Sequence, residues 1–376
     1  MGSSENTRQD GPFPVLPGVS VVVPTYREAA NLPELLARLD QLRREHGLDL
    51  DVFLMDDDSR DGTEEAVARA GLDWVRLTVR TRDRGLSAAV MDGFRLADKP
   101  VVLVMDADLS HPPEKIPEML AALAGGADFV IGSRYAPGGT TAEDWGLLSW
   151  INSRAATLPA LPFTRVKDPM SGFFAFPRTL LDAAPPLNAV GYKIGLEVLV
   201  KCGCRRAEEV PIHFAQRHRG ESKLSLREQL LYLRHLRRLA VFKYGHLAHF
   251  SQFALVGFLG TLVNLAALTA LDAAGVPLQA AVALAIFIAM LFNFVLNRQI
   301  TFAETRGGNV MKQLGAFVAA CSVGGAVNYA VTLGAVRAWP ALAGLPQAAA
   351  VLGILAGLTF NYLASRYWVF GARRPR

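Results

Sequence analysis

Residues 101–114 read VVLVMDADLSHPPE, and the fold of the first half of the chain turns on them. Five apolar residues run without a break from Val101 to Met105 and stop at Asp106-Ala107-Asp108. A short continuous apolar run of this kind suits a strand buried on both faces. Pro112-Pro113 then mark the opening turn of a helix, where proline is favoured. The same arrangement recurs upstream. Val19 to Pro24 and Asp51 to Met55 are apolar strands, the second ending in Asp56-Asp57-Asp58-Ser59, and Trp74–Val79 and Phe129–Ile131 are two more. Between them lie helical stretches: Glu28 to Arg44, with leucines at 32, 35, 36, 39 and 42, then Thr63–Ala70 and Leu86–Leu96. Strands alternating with helices predict an α/β domain with a mostly parallel sheet and right-handed crossovers. Ligands in such sheets bind beyond the carboxyl ends of the strands. Pro24-Thr25-Tyr26, the triple aspartate and Asp106-Ala107-Asp108 all fall at that edge.

Asp106 and Asp108 stand two apart, so in extended backbone they project to one side. Two carboxylates at a strand end form a hard oxygen site for Mg²⁺ or Mn²⁺, which complete their shells with phosphate and water. The competing reading is that Asp108 and Ser110 cap the helix that follows. Asp61-Gly62-Thr63 is a helix cap. Asp56 to Asp58 repel one another without a cation or a donor-rich ligand, and hydrogen bonds from a ribose or base are the economical answer. Turn chemistry alone is the other one.

Composition changes abruptly along the 376 residues. Only 19% are charged, below the ~25% of an ordinary soluble domain. From His249 to Arg376 the only acids are Asp272 and Glu304. That stretch holds four apolar segments, about 250–272, 278–296, 314–336 and 347–364. A bilayer core of ~30 Å needs about 20 helical residues, so four transmembrane helices are expected. Basic residues cluster before the first segment (Arg234, Arg237, Arg238, Lys243), between the second and third (Arg298, Arg306, Lys312) and in the tail (Arg366, Arg373, Arg374, Arg376). The positive-inside rule then places both termini and the N-terminal domain in the cytoplasm. Cys202, Cys204 and Cys321 provide neither a disulfide framework nor a zinc motif. No secretory signal opens the chain, and residues 1–18 are expected to be a mobile tail.

The membrane part repeats itself. Phe253–Asn264 (FALVGFLGTLVN) resembles Phe317–Asn328 (FVAACSVGGAVN), and Asn293–Phe302 (NFVLNRQITF) resembles Asn361–Phe370 (NYLASRYWVF). Each unit is a hairpin of two spans. Asn264, Asn293, Asn328 and Asn361 fall within or at the ends of spans. They read either as a polar path or headgroup site or, with more weight, as interhelical hydrogen bonds beside small neighbours. Ahead of the first span, Ser225 to Leu247 sets Leu226, Leu230, Leu233 and Leu236 apart from its arginines, as in a basic helix lying in the headgroup region. Packing between domains is the plainer alternative.

Several runs carry a family resemblance: residues 23–28 (VPTYRE), 56–63 (DDDSRDGT), 84–94 (RGLSAAVMDGF), 105–114 (MDADLSHPPE), 132–135 (GSRY), 167–175 (KDPMSGFFA), 191–193 (GYK) and 219–224 (RGESKL). In this order they resemble GT-A fold glycosyltransferases of family 2, in particular the polyprenol-phosphate (dolichol-phosphate) mannose synthases. The second half resembles the four-span GtrA-like domain, with its repeated Asn-x-x-x-x-Arg-x-x-x-Phe ends. The resemblance implies a nucleotide-diphospho-sugar transferase domain over 19–224, a basic interfacial segment over 225–248 and an all-α transmembrane domain over 249–376. It implies that Pro24, Tyr26, Glu28, Met55 and Asp57 contact the nucleotide of GDP-mannose, and that Asp106, Ala107 and Asp108 hold the diphosphate and its Mg²⁺ or Mn²⁺. Ser110 takes a metal or water-bridging position. Arg134, Lys193, Arg217 and Lys223 match phosphate-handling positions, with catalysis resting on Asp108, Arg134, Arg217 and Lys223. Arg134, Ser153 and Arg154 are the implied contacts of the acceptor phosphate. The implied partners are GDP-mannose, a polyprenyl or dolichyl phosphate and the lipid bilayer, and not nucleic acid.

The residue types suit that chemistry. A phosphomonoester acceptor has a second pKa of about 6, is already anionic and needs no strong general base. The site needs cations instead, a metal for the departing diphosphate and arginines for the repulsion between two phosphates. Direct attack would invert the anomeric carbon. The alternatives are a UDP-glucose or other UDP-sugar donor with the same acceptor, a processive polysaccharide synthase, whose usual Gln-x-x-Arg-Trp motif is missing, and a non-catalytic membrane scaffold or lipid-sugar transporter.

Overall fold

The computed structural model describes residues 16–141, 157–188, 193–215, 226–303, 308–339, 341 and 346–371. They form two compact units that divide at Lys243 and Tyr244.

The first unit is built on a seven-stranded sheet. Its strands are β1 (Val19–Thr25), β2 (Leu50–Asp56), β3 (Val75–Val79), β4 (Val101–Val104), β5 (Phe129–Ser133), β7 (Phe174–Pro177) and β8 (Ala207–Pro211). β6 (Thr140–Thr141) and β9 (His213–Phe214) pair separately. The order is β3-β2-β1-β4-β7-β5-β8, with every pairing parallel except those of β7, which runs antiparallel to both β4 and β5. The mostly parallel sheet expected from the alternation is therefore present, with one reversed strand, β7, inserted between β4 and β5.

The run VSVVVPT in β1 is apolar throughout because both faces are covered. Val19, Val21 and Val23 pack with Leu32, Leu35 and Leu39 of helix α1 (Leu32–His46). Val22 turns the other way, to Phe53 and to Ala89 and Val90 of helix α3 (Leu86–Leu96). α2 (Thr63–Ala70) and α4 (Ile116–Ala124) complete the crossovers. The expected helix over 28–44 begins instead at Leu32. Glu28–Asn31 closes a turn first, with Arg27 at φ 63° and the Asn31 amide bonded to the Glu28 carbonyl.

Helices α5 (Ile194–Lys201) and α6 (Leu226–Tyr244) follow. The leucine stripe of α6 divides. Leu236 and Leu239 are buried against Ala160, Phe163, Met170 and Leu196, while Leu230, Leu233 and Phe242 are about half exposed. Lys243 Nζ ties the end of α6 to the Phe163 carbonyl at 2.7 Å.

Among its described residues the second unit includes the helices α7 (His246–Ala273), α8 (Leu278–Leu296), α9 (Val310–Ala338) and α10 (Pro346–Ala364). Among the described residues three helical segments are long and apolar enough to cross a membrane, His246–Ala273, Leu278–Thr301 and Val310–Ala338. The sequence repeat is a structural one. A π-turn ends α8 at Asn297–Thr301, and another ends α10 at Ser365–Val369, 68 residues on. A Cβ on Gly260 would clash with Asn293 Oδ1, and one on Gly324 would clash with Asn361 Oδ1, so each asparagine lies in a notch that only glycine leaves. Both Oδ1 atoms are buried without a hydrogen-bond partner, so these two asparagines pack against small residues as expected but do not make the expected bonds through that oxygen. The hairpins meet crosswise. Phe294 of the first faces Phe317 of the second at 5.7 Å, Tyr362 of the second faces Phe253 of the first at 5.8 Å, and Phe302 stacks on Phe370 at 4.7 Å.

Candidate functional site at the carboxyl edge of the sheet

The loops after β1 and β2 are locked together by Asp56. Its Oδ2 accepts from the Ser59 amide at 2.8 Å and its Oδ1 from the Ser59 hydroxyl at 2.5 Å, while Ser59 Oγ accepts from the Arg27 amide at 2.8 Å. Asp57 is 7% exposed, bonded by Nη1 of the buried Arg80 and, at 2.7 Å, by the Gly85 amide. Asp58 pairs with Arg60 and Arg84. The repulsion among three successive carboxylates is thus answered largely within the chain, each acid having its own donors. A nucleotide is not needed to explain the cluster. Arg80 also reaches Asp92 at 2.8 Å and the Asp83 carbonyl at 2.8 Å. It went unnoticed in the sequence although it directly follows β3, at the same edge. Around this floor, Tyr26 is exposed and Met55 is fully buried in the core. Glu28 accepts from the Asn31 side chain. Pro24 lies within β1 in register with Met55.

β4 stops at Val104, so strand alternation does not run through Asp106 and Asp108. The backbone bends, with Leu109 at φ 63°. Asp108, 6% exposed, accepts from the Ser110 amide at 3.1 Å and from its hydroxyl at 2.5 Å. These bonds close a local turn and do not cap the following helix, whose N-cap is Pro112 with no side-chain cap bond. Ser110 is fully buried, with its hydroxyl directed to Asp108. Ala107 is buried, and His111 is buried beneath Phe173, its Nδ1 accepting from the Asp106 amide at 3.0 Å. Its neutral Nε2–H form follows from that bond.

Opposite, Arg134 follows β5. Its Nε and Nη2 both bond to Asp168 at 2.8 Å, and its amide reaches the same carboxylate at 3.1 Å. Asp168 is wholly buried, and the Glu209 carboxylate holds the Asp168 and Lys167 amides in turn. Burial works against the Arg134 charge, but the hydrogen bonds and charge of Asp168 outweigh it and raise the pKa above the ordinary value. Asp168 lies inside the quoted run KDPMSGFFA, yet a partner 34 residues from Arg134 gives no periodic signal.

Lys193 caps α5 and donates to the Met170 carbonyl. Burial first, then the charge of Arg134, push its pKa down to about 8, against the opposing pull of Asp168 and Asp106. The fold therefore brings Arg134, Lys193, Asp168 and Asp106 into one electrostatic group. Arg217, Lys223, Ser153 and Arg154 lie outside the described residues.

A divalent ion fits the chemistry of this edge. A Cβ on Gly172 would stand 3.4 Å from Asp106 Oδ1 and 3.5 Å from Oδ2, so the glycine keeps room beside that carboxylate. No group of three His, Cys, Asp or Glu side chains converges among the described residues. The chain's share is one or two carboxylates, as is usual for Mg²⁺ completed by phosphate and water.

Residues 20–183 match the family described as Glycosyl transferase family 2, and residues 252–370 match the GtrA/DPMS transmembrane domain. The chain is 40% identical to a dolichol-phosphate mannosyltransferase of Pyrococcus furiosus over 83% of its own length and 89% of that protein's. It is 41% identical to a dolichol-phosphate mannosyltransferase of Saccharomyces cerevisiae, over 60% of this chain and 88% of the yeast protein. A polyprenol monophosphomannose synthase of Mycolicibacterium smegmatis is 34% identical over 54% and 80%. The protein is a membrane-embedded glycosyltransferase of GT-A type. It belongs to the family of these dolichol-phosphate mannosyltransferases.

Proposed function

We propose that the chain transfers mannose from GDP-mannose to a membrane polyprenyl phosphate, with inversion at the anomeric carbon. The observation that carries this reading is the grouping of Arg134 and Lys193 with Asp106 at the sheet edge. Two cations close enough for one to depress the other's pKa are relieved by an anion. Two phosphate-bearing substrates supply it. The Nε–Nη2 edge of Arg134 is committed to Asp168, which fixes the orientation of the guanidinium. Asp168 and Glu209 are positioning residues in this scheme.

Asp106 and Asp108 are the residues to hold Mg²⁺ or Mn²⁺, with Ser110 fixing Asp108 from behind. The ion would stabilise charge on the departing nucleoside diphosphate. Arg217 and Lys223, with Ser153 and Arg154 toward the acceptor, complete the proposed phosphate contacts. Tyr26, exposed beside Pro24 and Glu28, and Asp57, steadied by Arg80, are the proposed nucleotide floor. The acceptor oxygen attacks as an anion, and no side chain has to remove its proton.

The exposed Leu230, Leu233 and Phe242 of α6 support placing that helix in the headgroup layer, beside a lipid phosphate of the same leaflet. The basic loop and tail support a cytoplasmic catalytic domain with both termini on that side.

The test is transfer of radiolabelled sugar from GDP-mannose, UDP-glucose and UDP-GlcNAc to a short polyprenyl phosphate, with Mg²⁺ or Mn²⁺ and with Asp108→Ala as control. Label entering lipid only from GDP-mannose, and lost in the variant, is the expected result. Transfer only from a UDP-sugar would overturn the donor, and no transfer from folded protein would overturn the reaction.

A further inference from the structure

The two membrane hairpins are related crosswise, and the relation fails at one pair of residues. Arg298 and Arg366 occupy the same place in the two π-turns. Arg298 Nε donates to Gln313 Oε1 of the opposite hairpin at 3.0 Å. By the 64-residue offset the counterpart of Gln313 is His249, whose Nδ1 is instead 3.0 Å from the Thr301 carbonyl. Arg366 is left with one hydrogen bond, from Nη1 to the Tyr362 hydroxyl at 3.2 Å. It is only 8% exposed, and its Nε is buried with no acceptor, as is the neighbouring Ser365 hydroxyl.

The idle edge is informative. Nε and Nη2 form the side of a guanidinium that grips a carboxylate or phosphate through two parallel bonds. Arg134 uses that edge on Asp168 and Arg38 uses it on Glu114. Arg366 uses it on nothing among the described residues. Within this unit the sequence holds only two acids. Glu304 is outside the described residues, and Asp272 lies at the far end of α7 from His246, whose carbonyl accepts from Tyr362. At 1.5 Å per residue those helix ends are about 39 Å apart. An enclosed cation with no counter-ion among the described residues is costly, and an anion from outside the chain would relieve it. Depth tells which kind. Tyr367 and Trp368, directly after Arg366, are 37% and 73% exposed, and exposed aromatics at the end of a span mark the level of the lipid headgroups.

We propose that the Nε–Nη2 edge of Arg366 binds the phosphate of an anionic lipid, making the end of the second hairpin a lipid-phosphate site. This inference does not depend on the proposed transfer reaction. A bilayer phospholipid and a polyprenyl phosphate share the required chemistry.

The test places the full chain in phosphatidylcholine nanodiscs doped with either phosphatidylglycerol or a polyprenyl phosphate, and counts retained lipids by native mass spectrometry. Wild type should hold one anionic lipid beyond any acceptor retained by the catalytic unit, and Arg366→Gln should lower that retention by about tenfold. Arg366→Lys, which keeps the charge but not the two-point grip, should fall between them, and it serves alone if the glutamine variant does not fold. Arg298→Gln should retain the lipid. Retention from only one of the doped discs identifies the source. Equal retention by wild type and both Arg366 variants would overturn the proposal. So would equal loss in Arg298→Gln, or displacement of the lipid by inorganic phosphate at matched concentration.

Discussion

Arg134 in the catalytic unit and Arg366 in the membrane unit are both almost fully enclosed, and the chain treats them differently. Arg134 has a two-point bond to the buried Asp168, two aromatic faces within 5.4 Å and a second acid, Glu209, steadying its partner. Arg366 has one phenol as acceptor and the Tyr367 ring 5.8 Å from its guanidinium, with no carboxylate among the described residues. Arg80 follows the first pattern, with Asp57 and Asp92 around it. This domain, rich in acids, gives Arg134 and Arg80 internal partners and presents a fixed geometry to substrates. A unit with two acids in its whole length leaves one for its surroundings to answer.

Removing a partner tests that contrast most severely. Asp168→Ala should cost about 3–5 kcal/mol, because it strands a buried guanidinium, and should abolish sugar transfer. Denaturant unfolding of the purified protein reads the first effect. The double variant Arg134→Met/Asp168→Leu should recover most of the stability and none of the transfer, separating the structural share of the pair from the chemical one.

Lys193 comes next. Its folded pKa of about 8 lies below the unfolded value, so between about pH 8 and 10.4 the unfolded chain binds more protons and stability rises with pH. The group costs stability at neutral pH, on the order of 3 kcal/mol. Lys193→Met should therefore be more stable than wild type at pH 7, lose that advantage above pH 10 and transfer sugar at least a hundredfold more slowly. In wild type, transfer at low substrate should decline as pH passes about 8. A variant no more stable at pH 7 would remove Lys193 from the electrostatic group.

The membrane repeat predicts a matched pair of smaller effects. Gly260→Ala and Gly324→Ala each push a methyl group into an asparagine and should each cost about 1–3 kcal/mol in thermal unfolding. Unequal costs would show that the hairpins are not mechanically equivalent. Smallest of all, Arg38→Met breaks the exposed bidentate bond to Glu114 and should shift stability by no more than about 1 kcal/mol.

What was legible in the sequence follows the range of the interactions. The strands around Val19, Asp51, Val101 and Phe129 and the helices at Thr63 and Leu86 were set by local periodicity and appear where expected. β7 was not foreseen, because FAFP at 174–177 is apolar in either direction and nothing local tells a strand which way it will run. Carboxylates at the strand ends were visible as letters. Their partners were not, since Arg80 meets Asp57 across 23 residues and Asp168 meets Arg134 across 34. The expected side-by-side projection of Asp106 and Asp108 rested on a strand that ends two residues too early. The repeat was legible in full as letters, while the crosswise pairing of its aromatic rings needed the structure.

That crosswise pairing has a consequence for how the protein is made. Part of each hairpin's aromatic packing belongs to the other: Phe253, Phe294 and Phe302 meet Tyr362, Phe317 and Phe370 of the second hairpin, whose last ring is translated 68 residues after Phe302. At about 5–20 residues per second, the first hairpin waits roughly 3–14 seconds in the bilayer before its complement exists. Through that interval the ring faces that will meet the second hairpin are uncovered, and the first hairpin is held by its own packing, apolar length and flanking charge.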